Sequence, residues 1–218
     1  MTAPIAKRTR CPRCARPGRN CICALVNPIA NLVEVLILQH PDEAPNAKNT
    51  AGLLHLSLKN SQLYIGETFN ADKLHSWLFS HQKLPLLLYP EIPEYKALGL
   101  APPGPPVPLE QRIPDQLRLV VIDATWRKSR KMLYLNPALQ SLPRLTLVEP
   151  PASIYKIRKA HSENQLSTLE ASCYALQQLE QQQLGYTSLL QAMSRFVAQQ
   201  SAFVPTKPFI SDERNPGL

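Results

Sequence analysis

Residues 117–133 constrain the fold of this chain more than any other segment, because they combine an apolar strand pattern with a basic helix pattern. The segment reads LRLVVIDATWRKSRKML: an apolar run ends at Asp123, and from Trp126 apolar and basic residues recur at helical spacing. This pattern predicts a strand, a turn and a helix. Open α/β sheets bind ligands at such junctions, since strand ends and helix N-termini converge on a crevice there. Four cations follow the turn: Arg127, Lys128, Arg130 and Lys131.

Strand and helix patterns alternate along the rest of the chain. Apolar runs predict further strands at residues 32–38, 63–65, 84–89 and 143–148. Helical spacing predicts helices that begin at Asn49 or Thr50 and at Ser167, and helices over residues 71–81 and 189–203. This alternation favours an α/β fold with a mainly parallel sheet. Clustered prolines between residues 85 and 114 predict a rigid, extended connection.

Four of the five cysteines lie close together near the N-terminus, at Cys11, Cys14, Cys21 and Cys23. Four thiolates in so short a segment can close a tetrahedral Zn²⁺ site of the structural kind, without an open position for catalysis. Two disulfides are the alternative, but they need an oxidising compartment. The N-terminus lacks the apolar stretch of a signal peptide, so we expect a cytoplasmic protein and a zinc knuckle.

The formal net charge of +8 and the pI of about 9.4 favour an anionic partner, of which a nucleic acid is the commonest. An ordinary basic surface would give the same charge. Arginines surround the cysteines, which predicts a small basic platform that the metal fixes: Arg8, Arg10, Arg13, Arg16 and Arg19.

Other polar residues fall at predicted strand ends and helix starts. His40 either lines a pocket or only ends its strand. Tyr155, Arg158 and Lys159 suit a nucleotide base and its phosphate, or form a basic surface loop. Ser167 and Glu170 have the spacing of a capping box, at a helix start that could also receive a carboxylate or ribose. No glycine-rich phosphate loop is present, which argues against nucleotide hydrolysis.

Several of these motifs together resemble the DTW-domain family. The signature is Asp123-Ala124-Thr125-Trp126, which fits Asp-x-Thr-Trp. Further shared motifs occur in the same order along the chain: the cysteine knuckle, the His-Pro and Asn-Thr segments after the first strand, the Tyr-Pro strand end, Arg130-Lys131-Met132, Tyr155-x-x-Arg158, and Ser167-Thr168-x-Glu170-Ala171. The chain is therefore identified as a member of that family.

The resemblance implies a SPOUT-like α/β-knot that binds S-adenosylmethionine in its C-terminal half. It also implies transfer of the 3-amino-3-carboxypropyl group from S-adenosylmethionine to N3 of a tRNA uridine, releasing methylthioadenosine. Methyl transfer to RNA, or RNA binding by a zinc-knuckle protein with a vestigial cofactor pocket, are the alternatives. We expect a zinc knuckle at residues 1–28, a catalytic domain at 29–204 and an extended tail at 205–218, in a monomer rather than a homodimer.

Residue roles follow from that reaction. N3 of uracil carries a proton that must leave, so we predict that Asp123 is the general base. Thr125 would hold Asp123 or the methionine carboxylate, and Trp126 would stack on a base or lie buried at its helix start. The predicted cofactor-binding residues are Tyr155, Arg158, Ser167, Thr168 and Glu170. The predicted RNA-binding residues are Arg13, Arg16, Arg127, Arg130, Lys131 and Lys159.

Overall fold

A five-stranded, all-parallel sheet lies at the centre of the structure, a computed structural model that describes residues 9–90, 99–155, 166–181 and 185–202. The strands are β1 Glu34–Gln39, β2 Ser61–Ile65, β3 Leu84–Leu88, β4 Leu117–Asp123 and β5 Arg144–Leu145. Their order across the sheet is β2-β1-β4-β3-β5, and every neighbouring pair is parallel. The predicted α/β class with a parallel sheet is therefore confirmed.

The neighbouring interior strands β1 and β4 carry the residues that organise the site. Both are buried on their two faces, as expected for parallel strands that helices cover. Their register pairs Gln39 with Asp123, the last residue of each strand. From β1 the chain continues outward to β2, whereas β3 and β5 lie beyond β4. The carboxyl ends of β1 and β4 thus form the switch point where open sheets bind ligands.

Helices cover both faces of the sheet and make a three-layer structure. They are α1 Ala51–Ser57, α2 Ala71–Phe79, α3 Trp126–Leu135, α4 Pro137–Gln140, α5 Thr168–Glu180 and α6 Thr187–Ser201. Helices α1, α5 and α6 contribute to one apolar core, and α2, α3 and α4 contribute to the other. Among the helices of the described ranges, none is long and apolar enough to cross a membrane.

Most predicted elements are present, but several end earlier than predicted. The strand expected over residues 143–148 shortens to Arg144–Leu145, because it is an edge strand whose partner β3 ends at Leu88, two residues before Pro90. The helix expected to reach residue 81 ends at Phe79, and His81 adopts a left-handed φ of 56°. Residues 91–98 of the predicted proline-rich connection, and the predicted tail, lie outside the described residues.

The cysteine segment packs against the end of α6. It contains two single-turn 3-10 helices, Gly18–Asn20 and Cys23–Leu25, and between them Ile22 lies buried in the same core as α6. The side-chain amide of Gln199 donates to the Cys21 carbonyl at 3.1 Å. A segment with one buried side chain of this size gains little from burial alone, so metal binding would supply much of its folding free energy.

Candidate functional site

Asp123 lies at the centre of a buried hydrogen-bond network. Asp123 is only 2% exposed, and both of its carboxylate oxygens accept hydrogen bonds. Oδ2 accepts from Gln39 Nε2 at 2.9 Å and from Asn49 Nδ2 at 2.6 Å, and Oδ1 accepts from Thr168 Oγ1 at 2.6 Å. The carboxylate therefore joins the ends of β1 and β4 to the starts of α1 and α5.

The donors around Asp123 are themselves fixed by local structure. Asn49 Oδ1 accepts the Ala51 amide at 2.9 Å, which is an Asx-turn contact one residue before the N-cap of α1. The same oxygen accepts from Gln39 Nε2 at 3.1 Å. Gln39 faces Asp123 because the two residues are register partners. The donors to Asp123 are two side-chain amides and one hydroxyl, so uncharged groups satisfy both of its oxygens.

An apolar crevice of about 350 Å³ opens beside this network. Its apolar wall comes from strand ends and the segment after β5: Leu88, Ile122, Leu145 and Leu147. Trp126 forms part of the rim, is 46% exposed, and contacts Tyr89 edge to face at 5.6 Å between ring centroids. The Tyr89 hydroxyl lies 2.9 Å from Ser129 Oγ, and burial raises the pKa of Tyr89, so the phenol stays neutral.

The N-terminus of α5 forms the polar side of the crevice. Ser167 and Thr168 both line it. The predicted capping box is confirmed, since Ser167 Oγ accepts the Glu170 amide and Glu170 accepts the Ser167 amide. Glu170 is fully buried, and its carboxylate also accepts hydrogen bonds from Ser153 Oγ and the Ile154 amide. Glu170 thus anchors the segment before Tyr155 instead of lining the crevice.

Four further predicted residues lie away from the crevice or outside the described ranges. Thr125 caps α3, and its carbonyl accepts the Ser129 amide. The hydroxyl that donates to Asp123 belongs to Thr168 instead of Thr125, so the methionine carboxylate remains the predicted partner of Thr125. Tyr155 is buried, and its hydroxyl donates to the Lys48 carbonyl. Arg158 and Lys159 lie outside the described residues.

The four N-terminal cysteines come together as a cluster that could hold a metal ion. All four Sγ atoms lie within 4.8 Å of one another, with 3.6 Å between Cys11 and Cys23 and 3.7 Å between Cys14 and Cys21. A tetrahedral zinc site with Zn–S bonds of about 2.3 Å needs Sγ separations of about 3.8 Å. Disulfide bonds are about 2.05 Å long, which these separations exclude. The residues present therefore fit Zn²⁺.

The thiols of this cluster differ in acidity. Hydrogen bonds from the backbone amides of Cys14 and Arg13 lower the pKa of Cys11 to about 6. Desolvation and hydrogen bonds with the neighbouring thiols raise the pKa of Cys23 to about 12. Backbone donors thus favour a thiolate at Cys11, and a bound cation would favour ionisation of Cys23 beside it.

The predicted RNA-binding arginines of the knuckle have different surroundings. Arg13 is exposed to solvent. Arg16 is half-buried and donates to the carbonyls of Ala47 and Asn49, each at 2.6 Å. Its guanidinium also lies 5.2 Å from the centre of the Phe196 ring. The structure therefore uses Arg16 for an internal contact.

Cations of α3 lie on the surface of the protein, and some of them line a second cleft with His40 and Glu67. Arg127, Arg130 and Lys131 are exposed. Lys131 Nζ lies 2.9 Å from Glu67 Oε2, and this contact, with a second from His40, lowers the pKa of Glu67. His40 is buried, accepts the Asp42 amide at Nδ1 and lies 3.1 Å from Glu67 Oε1 through Nε2. Of the two readings of His40, the structure supports the pocket-lining one.

Comparison with known proteins shows which family this chain is similar to. The family model described as "DTW domain" matches residues 8–201. A Drosophila melanogaster protein named tRNA-uridine aminocarboxypropyltransferase 2 is 32% identical over 185 residues, which is 81% of this chain and 69% of that protein. The Macaca fascicularis protein of the same name is 27% identical over 207 residues, which is 91% of this chain and 67% of that protein.

A plant relative matches a shorter part of the chain. The Arabidopsis thaliana tRNA-uridine aminocarboxypropyltransferase A is 30% identical over 141 residues, covering 58% of this chain and 51% of that protein. No solved structure gives a significant match to the chain.

Proposed function

We propose, because the chain belongs to the DTW-domain family, that it transfers the 3-amino-3-carboxypropyl group of S-adenosylmethionine to N3 of a uridine in tRNA and releases methylthioadenosine. The relatives named above support the reaction, since they are named for it and align over most of the chain. The structural observation that carries the proposal is the position of the Asp-x-Thr-Trp segment at an apolar crevice beside a helix N-terminus.

The crevice is the proposed site of S-adenosylmethionine. Its leucine-rich wall suits the adenine ring, and the start of α5 suits the carboxylate of the methionine moiety or the ribose. Ser167 and Thr168 supply hydroxyl groups there. The reacting carbon is the γ-methylene of the methionine moiety, so the site must turn that carbon, rather than the methyl group, towards N3 of uracil. Trp126 at the rim offers a surface for the uracil ring.

Proton removal from N3 is the proposed task of Asp123, with Thr168 in between. Asp123 is buried, whereas Thr168 lines the crevice and donates to Asp123 Oδ1. The N3 proton passes to Thr168 Oγ1 as the hydroxyl proton of Thr168 passes to Asp123. The N3 electron pair then forms the bond to the γ-carbon while the bond from that carbon to sulfur breaks, and its electron pair stays on sulfur. Charge balances because the sulfonium becomes a thioether and Asp123 becomes neutral.

The knuckle and α3 would bind the tRNA. Cys11, Cys14, Cys21 and Cys23 would hold a structural Zn²⁺ that fixes the fold of the knuckle. The exposed cations Arg13, Arg127 and Arg130 would then contact phosphates. Arg158, Lys159, Tyr155 and Glu170 remain predicted cofactor or RNA residues. The contacts described for Tyr155 and Glu170 favour supporting roles for those two residues.

The finer architecture is proposed from the resemblance. A SPOUT-like α/β-knot accords with a parallel sheet in which the start of α5 returns to the end of β4. We also propose a knuckle at residues 1–28, a catalytic domain at 29–204 and a tail at 205–218. The knuckle contributes Ile22 to the core of the catalytic domain, so the two would fold together.

The decisive experiment is nucleoside mass spectrometry of tRNA incubated with the purified protein and S-adenosylmethionine labelled in the methionine carboxyl carbon. Labelled aminocarboxypropyluridine, with equimolar methylthioadenosine, is the expected result. Use of methyl-labelled cofactor in a parallel reaction separates the alternatives: label in the nucleoside would identify a methyltransferase, and tRNA binding without any transfer would identify a binding protein.

A further inference from the structure

The side chain of Arg16 connects the cysteine knuckle to the loop before α1. The residue lies between Cys14 and Cys21, and its own carbonyl accepts the Cys11 amide at 2.8 Å, which ties its backbone to the metal-binding turn. From there the guanidinium donates through Nη1 to the Ala47 carbonyl and through Nη2 to the Asn49 carbonyl, both at 2.6 Å. One side chain thus holds two carbonyls of a loop 31 and 33 residues away.

That loop, residues 46–50, is held at three consecutive carbonyls. Arg16 binds the carbonyls of Ala47 and Asn49, and the Tyr155 hydroxyl donates to the carbonyl of Lys48 between them. Asn46 accepts hydrogen bonds from the Lys48 and Asn49 amides within the loop, and the side-chain donors add the contacts that fix the loop against distant segments. The donors come from two distant segments, the knuckle and the chain after β5.

The loop in turn presents Asn49 to Asp123. Asn49 is 4% exposed, and its Nδ2 lies 2.6 Å from Asp123 Oδ2. Its Oδ1 accepts the Ala51 amide and Gln39 Nε2, so the side chain has one orientation in which every polar atom is paired. A shift of the Asn49 backbone would therefore move the donor that fixes Asp123.

We propose that Arg16 is a positioning residue that links the metal-bound knuckle to Asn49 and, through Asn49, fixes the position of Asp123. The proposal rests on the proposed function for its kinetic consequence. It gives the knuckle a second role: besides carrying cations, it keeps the catalytic carboxylate in its productive place. Loss of the metal would then disturb the site even in a chain that still binds tRNA.

The geometry requires arginine at this position. Its planar fork reaches two carbonyls at once, whereas lysine presents a point charge that cannot match both acceptors. The guanidinium carbon also lies over the Phe196 ring, 5.2 Å from its centre, a cation–π contact that arginine makes from the same position. Arg16→Lys therefore keeps the charge for RNA but loses the paired contact, which separates positioning from RNA binding.

The kinetic test compares Arg16→Lys and Arg16→Met with Arg13→Met, which removes an exposed cation from the same knuckle. If Arg16 positions Asp123, both Arg16 variants lower kcat at saturating tRNA between about tenfold and a hundredfold, with little change in KM for tRNA. Arg13→Met should instead raise KM and leave kcat nearly unchanged. An Arg16→Lys variant with wild-type kcat, or an Arg16→Met variant that changes only KM, would overturn the proposal.

Amide hydrogen exchange provides a readout that does not depend on activity. The Ala51 amide is bound to Asn49 Oδ1, so its exchange should accelerate by about tenfold or more in Arg16→Lys and after zinc removal by a chelator. Unchanged exchange in both samples would contradict the coupling. If even the wild-type chain transfers no group, the proposed function fails, and the exchange data alone decide whether Arg16 fixes Asn49.

Discussion

Thr168 donates its hydroxyl hydrogen to Asp123 across 45 residues of sequence, with 2.6 Å between Oγ1 and Oδ1. The contact joins the first residue of α5 to the last residue of β4. Thr168 lines the crevice, whereas Asp123 is 2% exposed and lies buried behind it. This relationship makes both residues testable by substitutions that preserve shape.

Thr168→Val should destabilise the protein and impair transfer. Valine keeps the volume but leaves Asp123 Oδ1 with no side-chain donor in a buried position, which costs about 1–3 kcal/mol of the free energy of unfolding. Urea denaturation measures this loss. Thr168→Ser is the matched control, because it retains the hydroxyl and should keep both stability and kcat close to those of the wild type. Equal behaviour of the two variants would refute the role of the hydroxyl.

Asp123→Asn should abolish transfer in a protein that still folds. Gln39 and Asn49 both donate to Oδ2, so the new amide oxygen takes that place and the new NH₂ group faces Thr168, whose hydroxyl can turn to accept. The network survives, but no base remains, and we expect kcat to fall by at least about a hundredfold. Calorimetric titration with S-adenosylmethionine should show near-normal affinity. Retained activity would assign Asp123 to positioning only.

The strand ends and helix starts of this site could be predicted, but the contacts between them could not. Asp123 follows a buried strand pattern, and Ser167 with Glu170 has a capping-box spacing, so local sequence contains both signals. Asn49 has the signal of a helix start, but neither Asn49 nor Gln39 carries a local signal that it binds Asp123. They reach Asp123 across 84 and 74 residues, and only the register of β1 on β4 brings them together.

Arg16 and the last strand show the same limit. As a sequence feature Arg16 is one of several arginines beside cysteines, and nothing local distinguishes the one that turns inward to the Ala47 and Asn49 carbonyls. The apolar run at residues 143–148 has a strand pattern, yet its length is set by the pairing that β3 can offer. Tertiary contacts decide both cases.

The metal prediction concerns Cys14. Replacing one of four ligands leaves an incomplete tetrahedral site, so Cys14→Ser should reduce the bound zinc from about one ion per chain to well below that and lower the melting temperature. Cys173→Ala is the control, because Cys173 is a buried core residue of α5 outside the cluster. Elemental analysis of both purified variants measures the zinc. Full zinc content in Cys14→Ser would rule out the four-cysteine site.

The RNA prediction contrasts two neighbouring cations of α3. Arg130 is exposed and forms no ion pair within the described parts of the chain, whereas Lys131 is paired with Glu67 at 2.9 Å. Arg130→Ala should reduce the slope of log affinity against log salt concentration by about 1, and Lys131→Ala by less. Glu67→Gln frees Lys131 and should increase the slope. tRNA titrations at several salt concentrations measure all three, and identical slopes for the two alanine variants would contradict this assignment.

The last prediction concerns Glu34 and Arg118, register partners at the opposite end of the sheet from the site. Arg118 is almost fully buried and donates to Glu34 Oε2 and to the Trp77 carbonyl. Desolvation alone would raise the pKa of Glu34, but the hydrogen bond and charge of Arg118, with the charges of Lys83 and His81, hold it below its ordinary value. The carboxylate therefore stabilises the folded state at neutral pH.

Because the folded-state pKa of Glu34 is lower than the unfolded one, this stabilisation is complete above the unfolded pKa and disappears as the pH falls through the folded pKa. Glu34→Gln should cost about 1–3 kcal/mol at pH 7, a range reduced from the usual cost of breaking a buried pair because Glu34 is partly exposed. The difference between wild type and variant should shrink below about pH 4. Urea denaturation at pH 7 and at pH 4 or below measures both values. The control is Asp42→Asn, which removes the exposed partner of Lys128 and should leave the free energy of unfolding close to that of the wild type at both pH values. A cost of Glu34→Gln that stays the same at both pH values would exclude the ion pair as its cause.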